Sequence, residues 1–332
     1  MKNLQNHAYI PLFFATFTLI LVFLLSLMLG SSYISMIDLL TYIRYPSQSI
    51  HQFTIEVLRL PRVTLALLAG ATIGISGFLL QNVLKNPIAS PDLIGVTGGA
   101  SLGAVIFIAM FSHLSIHLLP AFAIAGGMTT MLALMLFQFK GHIRPSTLII
   151  IGIALQTLLI SLTQGVLLTT KQLSASKAYT WLVGSLYGAT FQESIILFGV
   201  FIALTPLLYI ILPRMKIAAL NDSVAVGLGL HLRQTQYLQL VTATLLVSVA
   251  VSFIGNIGFV GLIAPHIAKT CIKSNALKQC IMTALVGAIS IMIADLIGRT
   301  LFLPKEIPAG VFVAAFGAPF FIYLLLTVKK WS

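Results

Sequence analysis

Residues 59–103 read RLPRVTLALLAGATIGISGFLLQNVLKNPIASPDLIGVTGGASLG, and this stretch decides the fold class. Arg59 and Arg62 flank Pro61 and lead into an apolar run that carries Gly70, Gly74 and Gly77. A polar hairpin follows, Lys85-Asn86-Pro87 and then Ser90-Pro91-Asp92, before a second apolar run with Gly95, Gly99 and Gly103. Small residues spaced about four apart let helix backbones approach closely, which is how helices associate where lipid removes the usual hydrophobic drive. The stretch therefore predicts two membrane helices, packed tightly into a bundle and joined by a short turn.

Composition extends that reading to the whole chain of 332 residues. Hydrophobic residues make up 58% and charged residues 8%, with a mean hydropathy of +1.05. Soluble domains carry about 25% charged residues, so no water-facing shell can be built from this sequence. Apolar runs recur at 10–30, 62–84, 93–112, 118–138, 146–168, 192–212, 237–255, 259–272, 280–298 and 308–328. The run at 259–272 is short for a crossing and contains Pro265 and His266, so hydropathy leaves nine or ten spans. Residues 10–30 are too long for the apolar core of a cleavable leader and read as the first span. Cys271 and Cys280 are too few for a disulfide framework and lack metal-ligand spacing.

With ten spans both termini share a side, and Lys and Arg choose it. Inner segments then hold Lys2, Lys85, Lys140, Arg144, Arg214, Lys216, Arg233, Lys269, Lys273, Lys278, Lys329 and Lys330, twelve of the nineteen basic residues. Cytoplasmic termini satisfy the positive-inside rule. The net charge of +12 is thus a topological signal spread over short loops, and a nucleic-acid surface is excluded. The outer exceptions include Arg59 and Arg62, read as lying just before the second span, and Arg299 at the end of the ninth. Arginines so placed can snorkel to phosphates or cap helix ends. Asp295, one turn before Arg299, can pair with it at i, i+4, and is the one acidic residue placed inside a spanning helix.

The string at 59–103 resembles the permease subunits of ABC importers for iron chelates, haem and cobalamin, the FecCD/BtuC-like family. The resemblance covers about residues 50–328, and Glu306-Ile-Pro308-Ala-Gly310 with Gly317-Ala-Pro319 matches the family's closing pattern. It implies an all-α integral membrane protein, a ten-helix BtuC-like (type II) transmembrane subunit in a single permease domain over 1–332. It implies a bacterial inner-membrane location, and partners: a second permease chain, identical or paralogous, two ATP-binding subunits and an extracytoplasmic substrate-binding protein. Arg59, Arg62 and Arg299 match arginines that pair with glutamates of that binding protein. Implied cargoes are ferric siderophores first, then haem and cobalamin. The resemblance implies no cofactor on this chain, with ATP used by the partner subunit.

Two further segments carry the resemblance. Ile217–Arg233, IAALNDSVAVGLGLHLR, lies within the long connection at 213–234. Asn221, Asp222 or Ser223 can cap a short helix there and Gly227-Leu-Gly229 can end it. A surface helix resting on headgroups is one reading. The family's coupling segment, which enters a groove of the ATPase, is the other, with Asp222, Ala225, Leu228 and Gly229 as contact positions. The segment Gly258-Phe-Val-Gly261-Leu-Ile-Ala-Pro265-His266-Ile-Ala-Lys269 suits a bent short helix, and the family carries the Pro-His pair whatever the cargo. Lys85 and Lys269 stand where the family commonly has arginine, a change that matters only where a bidentate fork is needed.

The fifth run, 146–168, matches the helix that lines the family's pathway. Gln156, Thr163 and Gln164 are read as one polar face of it. No GxxxxGK[ST] segment is present to cradle ATP phosphates, and no catalytic constellation is visible. The chain is read as a transport subunit and not an enzyme. An ion-coupled secondary transporter is the rival reading. It needs membrane-embedded acids, and only Asp295 is on offer.

Overall fold

The computed structural model describes residues 9–137, 145–273 and 275–328. Lys2, Lys140, Arg144, Lys329 and Lys330, which entered the charge count, lie outside them. Among the described residues the chain is helical and no strand occurs. In chain order the helices are α1 (Tyr9–Met28), α2 (Met36–Arg44), α3 (Leu60–Val83), α4 (Val96–Met110), α5 (Leu119–Phe137), α6 (Pro145–Thr169) and α7 (Gln172–Val183). After them come α8 (Phe191–Ala218), α9 (Asp222–Gly227), α10 (Leu232–Ile254), α11 (Val260–Cys271), α12 (Ala276–Thr300) and α13 (Ala309–Val328).

Seven of these, α1, α3, α5, α6, α8, α10 and α12, are long and apolar enough to cross a membrane. Helix α4 and the apolar part of α13 are shorter. With 12 residues, α11 spans only ~18 Å at 1.5 Å per residue.

Helix α3 begins earlier than Pro61 suggests. A π-helical stretch, Thr54–Arg59, runs directly into it, so Arg59 and Arg62 lie within a continuous apolar helix from Thr54 to Val83 and not before it. Proline lacks an N–H and its ring crowds the carbonyl four residues back. Widening the preceding turn to i→i+5 relieves both demands. Glu56 and Glu193 also fall inside span-length helices, near their starts, so Asp295 is not alone there. The short helices α2 and α7 were not foreseen. Ser35 and Asp38 close α2 with a reciprocal capping box, and the Ser35 hydroxyl holds the Asp38 carboxyl below its ordinary pKa.

The glycine rows do what their spacing predicts, though they do not meet each other. The α3 row faces α12 and α11: a Cβ on Gly74 would lie 2.9 Å from Thr283 O, and Gly70 and Gly77 abut the Gly287 and Gly261 backbones. In α4, Gly99 and Gly103 instead abut Gly126 and Phe122 of α5. Helix α3 is consequently the centre of the bundle, with 78% of its most apolar window buried, and α10 follows with 72%. At the periphery α1 and α6 bury only 22% and 17%. The loop between α3 and α4 is tied inward at Asp92, whose carboxylate accepts from Thr97 Oγ1 at 2.8 Å and from the Phe259 backbone at the start of α11.

Candidate functional site

At one end of the bundle three guanidinium groups converge from α3 and α12. Arg62 Nε donates to both Asp295 oxygens at 2.9 and 3.0 Å, and its NH2 lies 2.8 Å from Oδ1. Its NH1 donates to Glu306 Oε2 at 2.7 Å. Arg299 Nε stands 3.6 Å from Asp295 Oδ2, so the i, i+4 pair read from the sequence exists. It is nevertheless the looser of the two contacts to that carboxylate. The tighter one crosses from α3, 233 residues away in the chain. Two cationic partners account for a carboxylate that is only 3% exposed, and they make Asp295 an ion-pairing group.

Arg59 and Arg299 are 3% and 5% exposed, and both act at a helix end. Arg59 NH1 donates to Leu27 O and Met28 O at 2.6 and 2.9 Å, and its NH2 to Ser32. Arg299 NH2 donates to Ser26 O. The last carbonyls of α1 have no partner within their own helix, and a cation at a helix C-terminus is favoured by the macrodipole. Two other helices therefore cap α1. A cavity of about 370 Å³ opens beside the cluster, with Arg59, Arg62, Arg299, Glu306, Tyr187 and Gly188 among its walls. Three arginines against Asp295 and Glu306 leave one positive charge in excess there. Glu306 stands in the closing motif at 306–310, and no sequence signal ties it to Arg62.

At the opposite end, α9 projects from the connection between α8 and α10. Asn221 occupies its N-cap without a side-chain bond. Asp222, the next residue, pairs with Lys85 of the α3–α4 loop at 2.9 Å, and the same ammonium donates to Leu220 O at 2.9 Å. Gly229 has φ +81°, and the bonds Gly229 N–H to Val226 O and Leu230 N–H to Ala225 O close a Schellman turn. Gly229, and not Gly227, is thus the residue that ends the helix. Ala225 is fully buried, while Val224, Val226 and Leu228 are 49%, 57% and 62% exposed. The contact role expected of Ala225 is corrected to packing: its methyl faces the bundle. Leu228 points outward, and Val224 joins it one turn away.

The polar face read for α6 is divided. Thr163 is buried with its hydroxyl on Leu159 O at 2.7 Å, and Gln156 turns its Oε1 against Gly98 of α4. Seven residues apart, these two share one line of the helix. Gln164, one residue beyond Thr163, is rotated by about 100° and is exposed. It shares its face with exposed Thr157 and Ser161, whose hydroxyls bond Ile153 O and Thr157 O at 2.9 Å. Those two were missed because hydroxyls on an apolar helix leave little trace in hydropathy. His266 meets Phe320 edge-on at 5.8 Å between ring centroids. No group of three metal-ligating side chains occurs among the described residues.

Residues 18–327 match the family model described as the FecCD transport family. This chain belongs to that family. It is a permease subunit of an ATP-binding-cassette transporter, and the ATPase of such a transporter is a separate subunit. Among its relatives, the achromobactin transport system permease protein CbrC of Dickeya dadantii is 39% identical, covering 82% of this chain and 78% of the relative. The Fe(3+)-citrate import system permease protein YfmE of Bacillus subtilis is 36% identical, covering 92% of each. A solved structure described as an inward-facing metal-chelate type ABC transporter superposes with a TM-score of 0.83 at 27% identity, over 96% of this chain and 99% of that one.

Proposed function

We propose that this chain and a second permease copy, identical or paralogous, form the membrane pathway of an importer for a ferric chelate. Two ATP-binding subunits drive it and an extracytoplasmic substrate-binding protein loads it. The observation that carries this reading is α9. It sits at a polar end of the bundle with Val224 and Leu228 outward, Ala225 inward and its C-terminus locked by Gly229. A short, rigid, apolar-tipped helix suits insertion into a groove of a soluble partner.

Closure of the ATPase dimer would push α9 and, through it, α8, α10 and Lys85 of the α3–α4 loop. The Thr157, Ser161 and Gln164 face of α6 would then line the path, uncharged and without a ring of ligands to hold the cargo. The arginine cluster supports docking at its cavity, where an acidic group of the binding protein would meet the excess positive charge. The relatives' names favour iron held by a siderophore or by citrate over haem or cobalamin. Ten crossings remain our count: α4 and α11 fall short of the ~30 Å core, yet non-helical backbone is tolerated at that depth where protein encloses it. Both termini then lie on the cytoplasmic side of a bacterial inner membrane.

Uptake of radiolabelled iron tests the proposal, offered as ferric citrate, achromobactin and haem to iron-limited cells with and without the chain. Loss for the citrate or siderophore form alone, restored by the wild type, is expected. Unchanged uptake of every form, with no second importer present, would remove the iron assignment.

A further inference from the structure

A second cavity of about 370 Å³ lies along α8 between α1, α3 and α12. Phe201, Thr205, Leu208 and Leu212 form its α8 wall. Thr205, the polar member, turns its hydroxyl to Phe201 O at 2.9 Å. From Phe201 to Leu212 the helix rises ~17 Å, about half of the ~30 Å hydrocarbon core. At Tyr209, Leu212 and Leu277 this groove runs on into another cavity, of about 360 Å³, whose lining includes Lys216 and Asn275. Lys216 stands one helical turn beyond Leu212. Lys278, adjacent to Leu277, lies over the Tyr9 ring at 3.6 Å.

None of the seven Asp and Glu residues of the chain lines either cavity. The pair of cavities is therefore an apolar channel one leaflet deep that ends in uncompensated positive charge. We infer that it is a binding site for one anionic phospholipid of the cytoplasmic leaflet, with an acyl chain along α8 and the headgroup phosphate at Lys216. The leaflet rests on the topology proposed above. The readout is bound lipid, so the inference can fail while the transport reading stands.

The test is native mass spectrometry of the full-length permease, purified in mixed micelles with equal phosphatidylglycerol and phosphatidylcholine. One retained lipid is expected, favouring phosphatidylglycerol about fivefold, the ratio given by ~1 kcal/mol per basic residue at an anionic surface. Lys216→Ser should keep the lipid and bring the ratio toward one. Thr205→Trp, at an exposed position, should fill the groove and lose that lipid. Absence of retained lipid, an unchanged ratio in Lys216→Ser, or an unchanged lipid count in Thr205→Trp would each overturn the inference. Dissociation of a permease dimer by Thr205→Trp would assign the groove to a second copy and would also overturn it.

Discussion

At one end of the bundle Arg59, Asp295 and Arg299 are 3%, 3% and 5% exposed and bonded to groups on other helices, whereas at the other end Asp222 and Lys85 pair with side chains 63% and 35% exposed. Both ends use an acid and a base near 2.9 Å, yet the physics differs. A buried pair has lost its water and depends on its partner, so removing one member leaves an uncompensated charge. An exposed pair exchanges its partner for water at little cost. The arginine end is built to stay assembled, and the α9 end is held by a pair that water can replace.

The largest effect expected from this contrast is that of Asp295→Asn, which leaves Arg299 without a carboxylate and Arg62 with Glu306 alone, and should cost ~3–5 kcal/mol. Thermal denaturation in detergent reads it directly. A variant that melts like the wild type and still binds its ATPase, yet transports nothing, would instead revive the ion-coupled reading. Next comes Arg59→Ala, which leaves the α1 carbonyl of Leu27 uncapped, while Met28 O keeps the Ile34 N–H at 3.0 Å. Charged hydrogen bonds of this kind are worth ~1.5–3 kcal/mol, and proteolysis between α1 and α2 should accelerate.

Glu306→Gln should cost under about 1 kcal/mol, because Arg62 keeps Asp295 and Glu306 already meets solvent. The smallest stability change belongs to the α9 end. Lys85→Asp and Asp222→Lys should each shift stability by at most ~1 kcal/mol while lowering transport, and the double reversal should restore it. Leu228→Asp should leave melting unchanged and abolish co-purification of the ATPase. Equal destabilisation by Asp222→Asn and Asp295→Asn would break the comparison outright.

Much of this architecture is legible in the sequence. The apolar runs fall within a few residues of α1, α5, α6, α12 and α13, because a membrane helix needs length and hydropathy more than any particular side chain. Gly70, Gly74 and Gly77 announced close helix contacts, and Asp295 and Arg299 announced an i, i+4 pair. Which helices meet was not legible. The α3 row chose α11 and α12, and the α4 row chose α5, since a glycine advertises room without naming what fills it. The burial of Arg59 and the split between Thr163 and Gln164 were hidden for a related reason. In helices apolar on every side, no polar face marks which way a residue turns.

The sequence by itself determined that this is an all-helical membrane protein with a short helix ending near Gly227-Leu-Gly229, and its motifs carried the resemblance to a permease family, because hydropathy, small-residue spacing and turn chemistry act over a few residues. Only the tertiary structure decided that Arg62 and not Arg299 is the tighter partner of Asp295, that α1 is capped from α3 and α12, and that Ala225 faces inward while Leu228 faces out. Those outcomes depend on groups brought together across hundreds of residues, where the cost of a buried charge or carbonyl is settled by whichever donor the packing delivers.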